Sequence, residues 1–194
     1  MKLRGIVFDL DGTLVSQELD FDAIRRAIGL PTGTPLLEAL AAMEIAERER
    51  AAVILDEHET SAAARAVLLP GVAELLQWLD ARGLRRGLLS RNSRRSVEAV
   101  LARCGLRFDP ALGREDAPFK PNPHGLQQIC AQWEAQPAEV LMVGDYLYDI
   151  QAGRAAGTRT ALLTHGRDWP FAHLADWSVA TLADLPGIIQ HIVD

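Results

Sequence analysis

Apolar positions along the chain fall into short unbroken runs that alternate with stretches of helical spacing. Residues 3–8 form such a run and end on acids and a glycine, the pattern of a strand buried on both faces with a functional loop at its carboxyl end. The character then changes. Phe21, Ile24 and Ile28 repeat with helical period, Gly29-Leu30-Pro31 breaks that helix, and residues 35–40 begin another. A longer amphipathic helix rich in Ala, Glu and Arg is expected from about Glu44 to Val67, and Pro70-Gly71 closes the strand-free insertion.

Strand and helix alternate from there on. Val72, Leu75, Leu76 and Leu79 mark the inner face of a helix over 72–81, Gly83 caps it, and 84–89 is a strand ending at Ser90. Ser93 caps the next helix, which runs to Cys104 and stops at Gly105, and 111–112 is a brief edge strand. After a proline-rich loop around Lys120, the spacing predicts a helix over 124–133 and a strand over 140–143 leading into Gly144-Asp145. A helix over 150–156 stopped by Gly157, a strand over 159–164, a weaker strand over 179–182 and a short terminal helix follow. Trp78 and Trp133 fall on core positions of their helices, whereas Trp169 lies in a loop that could border a cleft.

This order predicts an α/β fold: a doubly wound parallel sheet with helices on both faces and a small all-helical cap domain. Residues 1–15 and 70–194 form the expected core and 16–69 the cap. Ligands bind such sheets outside the carboxyl ends of the strands. Asp9, Ser90 and Asp145 all sit at such ends, and the insertion begins beside the first of them, as a lid would.

Composition narrows the class. With 194 residues, 48% apolar and 24% charged, the chain supports one full core and a small accessory piece. A net charge of −6 and a pI near 5.4 argue against nucleic-acid and anionic-membrane partners. The basic stretch with Arg85, Arg86, Arg94 and Arg95 reads as a solvated face. No apolar run has the roughly 18 residues of a membrane span, and the start of the chain reads as a strand, so a cytoplasmic protein, monomer or homodimer, is expected. Cys104 and Cys130 read as buried free thiols, and no histidine pair has ligand spacing.

The chemistry lies in four acids and a lysine: Asp9 and Asp11 in Phe-Asp-Leu-Asp-Gly-Thr, Lys120 in Phe-Lys-Pro-Asn-Pro, and Asp145 and Asp149 in Gly-Asp-Tyr-Leu-Tyr-Asp. Two like charges about 4 Å apart cost roughly 4 kcal/mol at an effective dielectric of 20, so a fold that gathers these acids must also bind a cation. An oxygen-only, sulfur-free set suits a hard ion, and Mg²⁺ above all where phosphate oxygens share the coordination. The Asp-x-Asp spacing is not that of a calcium loop, because Leu14 stands where such a loop needs glycine. Asp9 and Asp11 are close enough to act on one reacting group, one attacking while the other moves a proton. The Ser90 hydroxyl and nearby amides could hold an anion, and Arg91 and Asn92 beside it are candidate substrate contacts. Arg25, Arg26 and Arg48 of the insertion are weaker ones, since arginines on amphipathic helices commonly face solvent.

Taken in order, Asp9-Leu10-Asp11-Gly12-Thr13, Ser90, Lys120 and Gly144-Asp145 through Asp149 resemble the motifs of the haloacid dehalogenase-like hydrolase superfamily. Within it, the chain is similar to the phosphoglycolate phosphatase-like branch with a short helical cap. The resemblance implies Asp9 as nucleophile, Asp11 as proton-transfer group, and Ser90 and Lys120 as holders of the phosphoryl group. It also implies Mg²⁺ bound by Asp9, the Asp11 backbone carbonyl and Asp145, with Asp149 ligating it or orienting Lys120. The implied activity is hydrolysis of a small phosphorylated metabolite through an aspartyl-phosphate. Asp11 favours phosphate over halide chemistry, because a halide needs no proton. The same core serves phosphotransferases and sugar-phosphate mutases, and a non-enzymatic phosphate-responsive module is a further alternative. Tyr146, where serine or threonine is common, and His124, where a second acid is common, leave the substrate open.

Overall fold

The apolar runs become β1 (Gly5–Phe8), β4 (Arg85–Leu89), β6 (Val140–Gly144) and β7 (Arg159–Leu163), the inner strands of a six-stranded sheet. Two short strands, β5 (Ala111–Leu112) and β8 (Trp177–Val179), close its edges in the order β5-β4-β1-β6-β7-β8, and every pairing is parallel. The computed structural model describes residues 2–16 and 19–193; residues 1, 17, 18 and 194, which fall within the expected core and cap spans, lie outside the described residues.

Side chains of β1 alternate between two cores, as the two-residue period of a strand requires. Ile6 and Phe8 face a cluster with α4 (Val72–Asp80), α5 (Arg94–Cys104) and α8 (Leu185–Val193). Val7 faces the other side, against α6 (His124–Gln132) and α7 (Leu147–Ala156). Trp133, just past α6, is buried over the strands: a Cβ on Gly5 would meet its ring at 2.5 Å and one on Gly87 at 3.1 Å. Glycine at both strand positions lets this large ring lie flat on the sheet. Trp78 is only half-buried, its outer face stacked under Arg82.

Between β1 and α4 the chain forms α1 (Phe21–Ile28), α2 (Leu36–Ala42) and α3 (Ile45–Ala63), with their own small core of Ile24, Leu36, Leu37, Leu40, Ala51 and Leu55. The long helix ends at Ala63, four residues before the expected end. Val67 and Leu68 instead form β3, antiparallel to β2 (Val15–Ser16), and the Leu69 N–H donates to the Leu14 carbonyl at 3.0 Å. The pairing of the segment's two ends overrides local helical preference, which no glycine or proline interrupts before Pro70. Two other boundaries move. α7 begins at Leu147 rather than 150, and β8 ends at Val179, because Thr181 and Asp184 form a short capped turn where strand was expected.

Three of the four arginines of the basic stretch are exposed, as a solvated face requires, and each of the four also has a partner there. Arg85 donates to the Trp133 carbonyl, Arg86 pairs with Asp80 at 3.1 Å, Arg94 with Asp116, and Arg95 with Asp56 of α3 at 3.1 Å. Both cysteines are free, Cys130 buried and Cys104 half-buried. Burial pushes the Cys130 thiol up to about 11. Among the described residues, no helix is long and apolar enough to cross a membrane.

Candidate active site

Strand register decides which loops meet. Phe8 is level with Leu88 on one side and Val143 on the other, so the residues that follow β1, β4 and β6 leave the sheet together. Asp9 emerges first, its N–H bonded to the Val143 carbonyl at 2.9 Å, while the Ser90 N–H is held by the Leu112 carbonyl at 2.9 Å. Asp9, Ser90, Lys120 and Asp149 are all buried. Asp9, Asp11, Ser90, Arg91, Asn92, Lys120, Asp145 and Asp149 all border one cavity of about 440 Å³, roofed by the helices of the insertion.

The glycines of the two acidic motifs make the close approach possible. Gly12 has φ +75°, and a Cβ there would strike the Asp145 carboxylate; a Cβ on Gly144 would strike the Asp149 side chain. His165, to which the sequence assigned no role, contacts the Gly12 carbonyl through Nε2 at 2.6 Å and steadies the first loop from the end of β7, two strands away.

Lys120 occupies the centre. Its Nζ donates to Asp9 at 2.5 Å and to Asp149 at 2.6 Å, with the side chain 2% exposed. Burial alone draws its pKa down, but the charges and hydrogen bonds of Asp149 and Asp9 outweigh that and hold the ammonium above its ordinary value. The acids move the other way. Burial raises Asp9 to about 6, against the opposing pull of Lys120. Burial and then the charge of Asp9 raise Asp11 to about 7, and burial with Asp9 and Asp149 raises Asp145 to about 8.

Asp9, Asp145 and Asp149 each offer an oxygen within 4.8 Å of the others, so these three carboxylates could hold a metal ion. The donor set is oxygen only, and burial together with neighbouring carboxylates weakens Asp9 and Asp145 as acids, a penalty that a hard divalent cation would relieve. The Asp11 carboxylate stands outside that trio and accepts from the Asn92 side-chain amide at 2.6 Å. Ser90 Oγ accepts from the Asn92 N–H at 3.1 Å, fixing the loop between them.

Arg91 reaches across to the insertion. It donates to both carboxylate oxygens of Glu38 at 2.9 Å and to the Lys120 carbonyl at 2.5 Å, with Tyr148 4.3 Å and Phe119 5.0 Å beneath its guanidinium. Sequence reasoning missed Glu38, and equally Glu59, a buried carboxylate that accepts from the Ser93 N–H and pairs with Arg114. No spacing signals such partners, since each pair is joined only by tertiary folding. Of the insertion's arginines, Arg25 borders the cavity but is committed to Asp22 and the Thr34 carbonyl, each at 2.8 Å, and Arg26 and Arg48 are exposed. Trp169 does not line the cavity; it backs Tyr146, which does.

A parallel sheet thus gathers these acids and one lysine at its carboxyl edge beneath a helical roof. A profile of the haloacid dehalogenase-like hydrolases matches residues 3–157. A haloacid dehalogenase-like hydrolase domain-containing protein of Arabidopsis thaliana is 38% identical over 93% of this chain and 78% of its own length. An N-acetylmuramic acid 6-phosphate phosphatase of Pseudomonas putida is 30% identical over 100% of this chain and 97% of its own. In fold, the chain is similar to a hydrolase from Pseudomonas syringae, with a TM-score of 0.84 at 21% identity over 99% of this chain and 100% of that one. The chain belongs to the haloacid dehalogenase-like hydrolases, as an enzyme of their phosphatase-like branch.

Proposed function

We propose that this enzyme is a Mg²⁺-dependent phosphatase that hydrolyses a small phosphorylated metabolite through an aspartyl-phosphate on Asp9. The observation that carries the reading is the pair of acids on one loop, Asp9 tied to Lys120 and Asp11 to Asn92, both opening on the roofed cavity. Lys120 binds one oxygen of Asp9. The second oxygen attacks phosphorus as the bond to the leaving oxygen breaks, and Asp11 gives that oxygen its proton. Asp11, now charged, takes a proton from the water that attacks the aspartyl-phosphate, which releases phosphate and restores Asp9.

Asp11 at about 7 is poised for both directions of this transfer near neutral pH. Lys120 and Ser90 hold phosphoryl oxygens, and Asp149 keeps the lysine in place. Mg²⁺, for which Asp9, Asp145, Asp149 and the Asp11 carbonyl are the candidate ligands, would supply charge to the phosphoryl oxygens when bound.

The relatives named as phosphoglycolate phosphatase from Synechococcus elongatus and as N-acetylmuramic acid 6-phosphate phosphatase support small phosphomonoesters as the substrate class. The test is phosphate release from a panel of phosphomonoesters. Turnover is expected with Mg²⁺ and is lost with EDTA and in Asp9→Ala; a panel without turnover on any ester, aryl phosphates included, overturns the proposal.

A further inference from the structure

The walls of the cavity beyond the phosphoryl site carry a distinct pattern. Every charge there is already cancelled: Arg25 by Asp22, Arg91 by both oxygens of Glu38, and Glu59 by Arg114. At the floor, four carboxylates face one ammonium; with Asp11 protonated, as the first step requires, a divalent cation brings this set to neutrality and leaves no surplus positive charge. A second anionic group on a substrate would find no uncommitted cation among the described lining residues and would lie close to the charge of its own phosphate.

The remaining surface is apolar and aromatic. Leu19, Phe21, Leu36, Leu37 and Leu55 line the roof, and the volume of about 440 Å³ greatly exceeds what a two-carbon acid fills. Tyr146 stands between roof and floor. Its N–H is held by Asp149 at 3.1 Å, so its position is fixed by the same carboxylate that anchors Lys120. Tyr148, Trp169 and Phe171 pack edge-on around its ring at centroid distances of 5.3, 6.0 and 5.7 Å. Yet Tyr146 remains 45% exposed. A ring braced on three sides and left open toward a cavity is a platform, because its orientation costs nothing further when a flat group lies on it.

We infer that the ester accepted here has an uncharged, ring-sized leaving group with an apolar face, and that Tyr146 is the specificity-determining residue it packs against. The inference rests on the phosphatase reading above and names its substrate class. Short acids such as phosphoglycolate, and esters with a second anionic group, are poor substrates by the same reasoning.

The experiment is steady-state kinetics on matched pairs. Phenyl phosphate against 4-carboxyphenyl phosphate, and glucose 1-phosphate against glucuronic acid 1-phosphate, vary charge at nearly constant size with the ring kept. Phenyl phosphate against phosphoglycolate and glycerol 3-phosphate varies the ring. The neutral member of each charge pair is expected to have kcat/KM higher by about tenfold or more. Tyr146→Ser is expected to raise KM for ring esters about tenfold with a smaller effect on kcat, and to affect glycerol 3-phosphate less, while Tyr146→Phe keeps the ring preference. Preference for the charged members, or an equal loss on ring and open-chain esters in Tyr146→Ser, overturns the substrate class while leaving the phosphatase standing. Absence of turnover on every ester overturns both.

Discussion

The side-chain amide of Asn92 donates to Oδ2 of Asp11 at 2.6 Å, joining two loops 81 residues apart in the chain. The bond favours the charged form of a carboxyl that burial and Asp9 otherwise drive toward neutrality. Removing it in Asn92→Ala raises the Asp11 pKa further. Because the first half-reaction needs the protonated acid, the alkaline limb of kcat/KM moves to higher pH, and misorientation lowers kcat by about 10²-fold. A pH-rate profile identical in position to that of the wild type contradicts this role.

Stability without metal depends on pH in a defined direction. Asp9, Asp11 and Asp145 titrate at about 6, 7 and 8 in the folded protein, against 3.8 for an ordinary aspartate. Between those limits the folded state holds protons that the unfolded chain has released, so stability falls as pH rises from about 4 to about 8. Thermal unfolding in EDTA is expected to show this decline, which Asp145→Asn flattens. Mg²⁺ raises Tm more at about pH 8 than at about pH 5, because only charged carboxylates bind it and protons compete for them.

Lys120 is the only cation in direct contact with Asp9 and Asp149 among the described residues. Lys120→Met leaves two buried carboxylates without it. The expected loss in metal-free protein is about 3 kcal/mol, measured by urea unfolding, together with loss of phosphatase activity. Mg²⁺ restores part of the stability and none of the activity.

Glu38→Gln tests the link between roof and floor. The pair with Arg91 is partly exposed, with side chains 21% and 38% accessible, so its loss lowers global stability by about 0.5 kcal/mol or less. Local opening is the sensitive readout. Amide exchange in Leu36–Ala42 is expected to quicken while Tm hardly changes, because α2 loses its tie to the Lys120 loop.

The inner strands were readable because strands covered on both faces must be apolar throughout, as in Val140–Gly144, and because Asp9, Ser90 and Asp145 follow such runs directly. Their convergence follows from parallel topology alone. The sequence was silent where distant pairings decide the outcome. Val67 and Leu68 look like a helix end until Val15 and Ser16 lie beside them. Arg91 and Asn92 read only as candidate substrate contacts, and that Glu38 meets the one and Asp11 the other appears only once α2 and the first loop are in place. His165 gave no sign of its bond to Gly12, since 153 residues separate them.

Val15 faces Leu68 across a two-residue ribbon, so the polypeptide departs from the sheet and rejoins it through one narrow doorway. The distance between Asp9 and Asp145 is set by neighbouring strands and owes nothing to the length of what lies beyond that doorway. Grafting a different roof at this point would alter which molecules are admitted while the reacting groups stay in register. The architecture thereby separates the evolution of selectivity from the upkeep of the chemical step.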